Sequence, residues 1–339
     1  MTDKQQHDDE GKVTIRDVAK AAGVSPSTVS RAFARPDRVS AATAKRIFSV
    51  ADQLGYHSDP VETMPSRGLK GMIAIIVPDI ANQFMSDMIR AVQHEAASHG
   101  VALVVSESRE SASWERTSFD RIVPYVDGVI LASSRMPDAM IRKCAQTRPV
   151  VVANREVRGV DNVTCDLTQG IAQLVDHIVK QGYSRVTYLD GPASSWSAGV
   201  RWNAMSRGLA SRGVTARRIW PGSPTFEGGF AQAQKYLEDP TGMVVTHNDL
   251  MALGFIAAMR RLGYDCPKDF GVAGFDNDAV GQIYSPTLTS VRMSPALLGQ
   301  RAARLLLAKL QHATSTDNLS HVATSLVVRE SSCRVASLG

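Results

Sequence analysis

Apolar positions near the start of the chain recur with a helical period. Ile15, Val18, Ala19 and Ala22 fall at i, i+3, i+4 and i+7 and predict one buried face of a short helix. Thr14 before it and Asp17 three residues on form a capping-box pattern. Gly23 stands where the helix must stop, because glycine takes the left-handed backbone without steric cost. Ser25 restarts the chain as an N-cap and Pro26 suits a first helical position, whose N–H has no helical partner. The second helix is polar on its outer side, with Ser27, Ser30 and Arg31. Ser40 caps a third, with Ala44, Ile47, Phe48, Ala51 and Leu54 on one face. A capped helix, a glycine turn and a polar second helix is the build of a helix-turn-helix.

Beyond about residue 70 the period changes. Short apolar runs at Met72–Val77, Val101–Val105, Gly128–Leu131, Val150–Val152, Arg185–Leu189, Met243–Val245 and Gly271–Ala273 read as strands. Amphipathic stretches lie between them: Met85–Ser98, Ile171–Lys180, Asp249–Leu262 and Pro295–Leu310. Continuous apolar strands alternating with helices predict parallel sheets covered by helices. Two such series, from Met72 and from Arg185, predict two similar lobes.

Charge sharpens the first prediction. The 339 residues carry a formal net charge of +5, and residues 12–57 hold eight Lys/Arg against three Asp. The basic excess therefore sits on the helix-turn-helix, as phosphate contacts require. Residues 1–12 are polar and read as a disordered tail, with no apolar core for a signal peptide. No stretch reaches the ~20 apolar residues of a membrane span. Cys144, Cys165, Cys266 and Cys333 are scattered and read as free thiols in a reducing cytoplasm. There is no Gly-x-Gly-x-x-Gly after a strand, no P-loop, no Gly-x-Ser-x-Gly elbow and no clustered metal ligands, so an enzyme, a cofactor or a metal is not expected.

Ligands of doubly wound sheets sit beyond the carboxyl ends of the strands, and two facing lobes make a cleft there. The candidates are Asp79, Asn82 and Phe84 after the first strand, Ser106 after the second, and Asn154 and Arg155 after the fourth. From the second series come Trp196, Arg201, Phe226, Asn248 and Asp276. Amides, carboxylates and arginines give two-pronged hydrogen bonds to neighbouring hydroxyls, and aromatics press on ring faces. That is the chemistry of a sugar, polyol or nucleoside pocket. Asp249 has two readings, a pocket residue or the cap of the helix beginning at Leu250.

The run Thr14-Ile-Arg-Asp-Val-Ala-Lys-Ala-Ala-Gly-Val-Ser-Pro-Ser-Thr-Val-Ser-Arg31, followed by Arg38-Val-Ser and Leu54-Gly-Tyr56, closely resembles the DNA-binding domain of the LacI/GalR family of bacterial transcription regulators. The resemblance continues to about residue 330. It implies an all-α helix-turn-helix domain, about 13–58, a hinge, about 59–70, and an α/β two-lobed periplasmic-binding-protein-like domain, about 71–339. The N-lobe would hold about 71–163 and 290–321, the C-lobe about 164–289 and 322–339. Crossovers would fall near 162–165, 288–292 and 320–323.

It implies a homodimer on double-stranded, pseudo-palindromic operator DNA, a repressor acting in the bacterial nucleoid. Pro26, Ser27 and Arg31 would read base edges, Thr14, Ser25, Thr28 and Ser30 would contact the backbone, and Arg38 is a further DNA-binding position. Arg201 and Asp276 match the family's effector-holding pair. The chain departs from the pattern in the hinge, where Glu62-Thr63 replaces Ala-Arg and Pro65 replaces the Leu that wedges into the minor groove, so either a helix shortened to about Pro60–Met64 uses Met64 as the wedge or there is no wedge. Ala34 stands where many relatives carry Asn, and no leucine heptads of a tetramerising tail are found. The rival reading is a solute-binding protein with no regulatory role, which would need an export signal and no helix-turn-helix.

Overall fold

The computed structural model describes residues 13–34, 38–54, 56, 69–311 and 321–334. Disorder of residues 1–12, the hinge and Met64 lie outside the described residues. The chain divides into two compact units, residues 1–66 and 67–339.

In the first unit, α1 (Ile15–Ala22), α2 (Pro26–Ala34) and α3 (Ala41–Gln53) enclose one small core. Asp17 anchors the start of α1: its Oδ2 accepts from both the Thr14 N–H (2.8 Å) and the Thr14 hydroxyl (2.6 Å). These bonds hold its carboxyl below the usual carboxylate range. Gly23, at φ 65°, turns the chain out of α1. Val18, Ala19, Ala22, Val29, Ala32, Ile47 and Ala51 are buried together. Two residues of the expected α3 face differ. Phe48 and Leu54 are each 39 % exposed, and Phe48 lies edge-on to Phe33 at 5.1 Å.

The second unit has two lobes of one topology. In the N-lobe, β1 (Met72–Val77), β2 (Ala102–Glu107), β3 (Gly128–Ala132), β4 (Val150–Ala153) and β5 (Asp161–Asp166) pair in parallel in the order β2-β1-β3-β4-β5. Helices α4 (Gln83–Ser98), α5 (Ala112–Ile122) and α6 (Asp138–Thr147) connect them. Asp127 fixes the entry, its carboxylate accepting from the N–H groups of Lys70, Gly71 and Met72.

The C-lobe repeats the order as β7-β6-β8-β9-β10. It comprises α7 (Thr168–Lys180), β6 (Arg185–Leu189), α8 (Trp196–Ala210), β7 (Thr215–Ile219), α9 (Phe226–Ala231), α10 (Ala233–Leu237), β8 (Met243–Thr246), α11 (Asp249–Arg261), β9 (Gly271–Asp276), α12 (Ala279–Ile283) and β10 (Thr289–Arg292). The chain then returns to the N-lobe as α13 (Pro295–Leu310), packed on α4, and β11 (His321–Ala323), parallel to β5. It ends in the C-lobe with β12 (Ser325–Val327), antiparallel to β10.

The crossovers therefore lie at Leu167, Met293–Ser294 and Thr324, later than expected from sequence. Strands β5, β10 and β11 each complete their pairing before the chain changes lobes. Strands β5 (Asp-Asn-Val-Thr-Cys-Asp) and β10 (Thr-Ser-Val-Arg) are polar and β11 (His-Val-Ala) is only three residues long, so no apolar run marks where each ends. In both lobes the strand order reverses beside the first strand, between β1 and β3 and between β6 and β8. Those are the switch points where a crevice opens.

Candidate functional site

A narrow cleft lies between the strand ends of the two lobes. From the N-lobe it is lined by Pro78, Asp79, Asn82, Phe84 and Met85 after β1, Glu110 after β2, Ser133 and Arg135 after β3, and Asn154 after β4. From the C-lobe come Ser197 and Arg201 on α8, Pro224 after β7, His247 and Asn248 after β8, and Asp276 at the end of β9. Four of these are non-glycine residues with left-handed backbones: Glu110 (φ 58°), Ser133 (φ 46°), Asn154 (φ 59°) and Asp276 (φ 104°). Such backbones cost energy and gather where side chains must be aimed at a ligand.

Arg201 is the hub. Its guanidinium donates to the His247 carbonyl oxygen and, through Nη2, to the Met293 sulfur at 3.1 Å. Nη2 lies 3.5 Å from Asp276 Oδ1, and the group sits 4.6 Å above the centre of the Phe275 ring. On the opposite wall Arg135 donates from Nε to Glu110 Oε2 (2.5 Å) and from Nη1 to the Ser133 carbonyl oxygen (2.7 Å). His247 is buried with Nδ1 unpartnered. Burial, reinforced by the Arg201 and Arg135 charges, holds its pKa well below the ordinary value, so it is neutral.

Seven candidates thus meet in one cleft: Asp79, Asn82, Phe84, Asn154, Arg201, Asn248 and Asp276. Asn248 is spent on the fold, however. Its Oδ1 caps α11 through the Met251 N–H (3.0 Å) and its Nδ2 donates to the Pro224 carbonyl oxygen (2.9 Å).

Four candidates lie elsewhere. Ser106 is on edge strand β2 and borders a hollow beside Trp114, Thr117 and Arg121 of α5. Arg155 turns back to the carbonyl oxygens of Ser134 and Met136 and to Asp138, bracing the loop before α6. Trp196 is the first residue of α8, and the helical turn presents Ser197 and Arg201 to the cleft instead. Phe226 opens α9 and is 39 % exposed outside the cleft lining.

Asp249 is neither a lining residue nor the cap. It lies buried, accepting from the Ser290 hydroxyl (2.7 Å) and the Asp278 N–H (2.8 Å). Burial, with Asp276 and Asp278 close by, raises its pKa well above the usual carboxylate value. Glu110, Ser133 and Arg135 were not anticipated; each sits one to three residues past a strand, in segments with no distinctive composition. Among the described residues no group of three or more His, Cys, Asp or Glu is placed to hold a metal ion, and no helix is long and apolar enough to cross a membrane.

On the helix-turn-helix, the Ser25 hydroxyl accepts from the Thr28 N–H (3.2 Å) and lies 2.8 Å from the hydroxyls of Ser27 and Thr28. Thr14, Pro26, Ser27, Ser30, Arg31 and Arg38 are exposed and Thr28 half-buried.

Residues 14–59 match the family model of bacterial regulatory proteins, lacI family, and residues 175–332 match a periplasmic binding protein-like domain. The chain is 33 % identical over 310 residues to the HTH-type transcriptional repressor CytR of Escherichia coli (strain K12), covering 89 % of this chain and 91 % of that one. The chain belongs to the lacI family. It is 27 % identical to the transcriptional regulator GalR of the same organism, covering 96 % of this chain and 97 % of that one. Its fold superposes on the lac repressor dimer bound to operator and the anti-inducer ONPF with a TM-score of 0.75 at 26 % identity, covering 95 % and 99 % of the two chains. A CelR–cellobiose complex gives a TM-score of 0.69 at 25 % identity, covering 94 % and 100 %. This lacI-family member is thus a helix-turn-helix DNA-binding regulator whose curated relatives are transcriptional repressors, not enzymes.

Proposed function

We propose that this lacI-family protein is a cytoplasmic repressor that grips a pseudo-palindromic operator as a homodimer and is switched by a small sugar, polyol or nucleoside in the inter-lobe cleft. The carrying observation is the Arg201–Asp276 pair set opposite Asp79, Asn154 and Phe84 across two lobes. A hydroxylated ring there meets hydrogen-bonding groups on its edge and an apolar face. The lac repressor and CelR structures, with an anti-inducer and cellobiose, support the reading.

On DNA, Pro26 and Ser27 at the start of α2 and Arg31 further along it would read base edges, Arg31 favouring guanine O6 and N7. Thr14, Ser25, Thr28, Ser30 and Arg38 would fix the register on phosphates. A dimer places two such heads in successive major grooves. Exposed isoleucines on α12 and after β1 are positions that a second copy would cover. Ile283 on α12 is 86 % exposed, and Ala279 of the same helix donates its N–H to Gln83 Oε1 near the 50 %-exposed Ile80. The effector must bind two lobe arrangements unequally, since a ligand indifferent to them shifts nothing.

The test is a thermal-shift screen of the full-length protein against sugars, polyols, nucleosides and purines. A ligand at a hundred times its Kd stabilises the folded state by about 2.7 kcal/mol. The reading expects a hit that Arg201→Ala and Asp276→Ala abolish and that changes operator affinity. A hit untouched by both substitutions, or one without effect on DNA binding, refutes it.

A further inference from the structure

Building on the proposed effector site, we propose that the cleft takes an uncharged or cationic ligand rich in hydrogen-bond donors and rejects phosphorylated or carboxylated ones. Anions are normally held by guanidinium groups and by helix N-termini. The cleft contains both, and the charge of each arginine already faces a carboxylate, Glu110 for Arg135 and Asp276 for Arg201. Arg135 is engaged by Glu110 and the Ser133 carbonyl, and Arg201 by the His247 carbonyl, Met293 and Asp276. Helices α4, α8 and α11 all begin at the cleft, and in each a side chain of the protein already caps one of the first N–H groups. Asn82 Oδ1 accepts from the Met85 N–H, Ser195 Oγ from Ala198, and Asn248 Oδ1 from Met251.

The opposite sign is in excess. Three carboxylates, Asp79, Glu110 and Asp276, line the cleft with the two arginines. His247 adds no charge, for the reasons given above. Each carboxylate uses one oxygen within the protein: Asp79 Oδ1 on the Ala81 N–H (2.8 Å), Glu110 Oε2 on Arg135, and Asp276 Oδ1 on Arg201. Asp79 Oδ2, Glu110 Oε1 and Asp276 Oδ2 are left to accept from a ligand. Hydroxyl or amine donors satisfy them. A phosphate would bring its charge beside them with no unspent cation to pair with, and burying an unpaired charge is costly.

Matched pairs decide it: ribose and ribose 5-phosphate, glucose and glucose 6-phosphate, adenosine and AMP, with glucosamine as the cationic member. Each is titrated into the full-length protein by calorimetry. The expected result is that any neutral or amine compound that binds loses about a hundredfold or more in affinity on phosphorylation, or about 2.7 kcal/mol. In Asp79→Asn and Glu110→Gln that gap narrows. A phosphorylated compound binding as tightly as its neutral partner, or more tightly, overturns the inference and leaves the effector reading standing. Silence from every compound here and throughout the wider screen removes the effector reading, and this inference with it.

Discussion

Replacing Asp278 by Asn isolates one buried carboxyl whose protonation the fold controls. Asp278 precedes α12, its N–H donates to Asp249 Oδ2 at 2.8 Å, and its own Oδ2 is buried without a partner. Its charged neighbours are Asp276 on β9, Asp249 on α11 and Asp87 on α4, all carboxylates. Burial, then repulsion from Asp276 and Asp87, lifts its pKa from 3.8 to about 7. The folded protein therefore keeps a proton that the unfolded chain loses near pH 4. Stability from this group is fully present below pH 4, falls as pH rises to about 7, and is then flat. A rise of about three units corresponds to about 4 kcal/mol.

Asparagine resembles the protonated acid and does not titrate. Asp278→Asn should gain stability over the natural protein by up to about 4 kcal/mol between pH 4 and 8. Urea denaturation of both proteins at intervals across that range measures the difference. Other raised carboxyls, such as Asp190 and Glu115, titrate in both proteins and largely cancel. Parallel stability curves would refute the reasoning, as would a variant that loses ground with rising pH.

Three further outcomes are expected. A Cβ on Gly254 of α11 would drive into the Phe226 carbonyl, a backbone atom that cannot step aside; Gly254→Ala should cost about 3 kcal/mol, and a melting temperature within a degree of the natural protein would contradict that. Ile283→Lys should leave the monomer fold intact and dissociate the dimer in light scattering, whereas an unchanged mass would move the interface elsewhere. Arg31→Ala should cost about 1–3 kcal/mol on the selected operator and relax preference at one base pair per half-site, while an equal loss on all sequences would make Arg31 a phosphate contact.

The legibility of this chain followed where chemistry and pattern coincide. The helix-turn-helix was readable because caps, a turn glycine and a heptad-like face all agree over Thr14–Arg31. Strands β1, β3, β4 and β8 were readable as nearly continuous apolar runs buried on both faces. Strand β7, Thr-Ala-Arg-Arg-Ile, was not, because at a sheet edge its arginines extend over Trp202, Trp220 and Tyr236 rather than entering a core. In the cleft, the rule that ligands sit past strand ends found the loops, yet it could not say which way a side chain turns. Arg155 and Asn154 are adjacent, and only Asn154 faces the cleft, because its left-handed backbone aims it there while Arg155 finds three oxygens behind it.

The same cleft concentrates the costs of the fold. The described non-glycine residues with left-handed backbones are Arg109, Glu110, Ser133, Asn154, Asp276 and Asn277, all at or just past the carboxyl ends of strands. Each costs on the order of 1–3 kcal/mol. The unpartnered Nδ1 of His247 and the crowded carboxyls Asp249, Asp276 and Asp278 lie beside them. Strands β1, β3, β4 and β8 beneath the cleft are almost wholly buried and apolar. A fold governed by stability alone would relieve this strain with glycines and uncharged residues. Holding it at one face, on walls contributed by two lobes, keeps the polar groups aimed at a third party that can satisfy them. A ligand that does so stabilises the arrangement in which both walls reach it, which is the unequal binding that regulation requires.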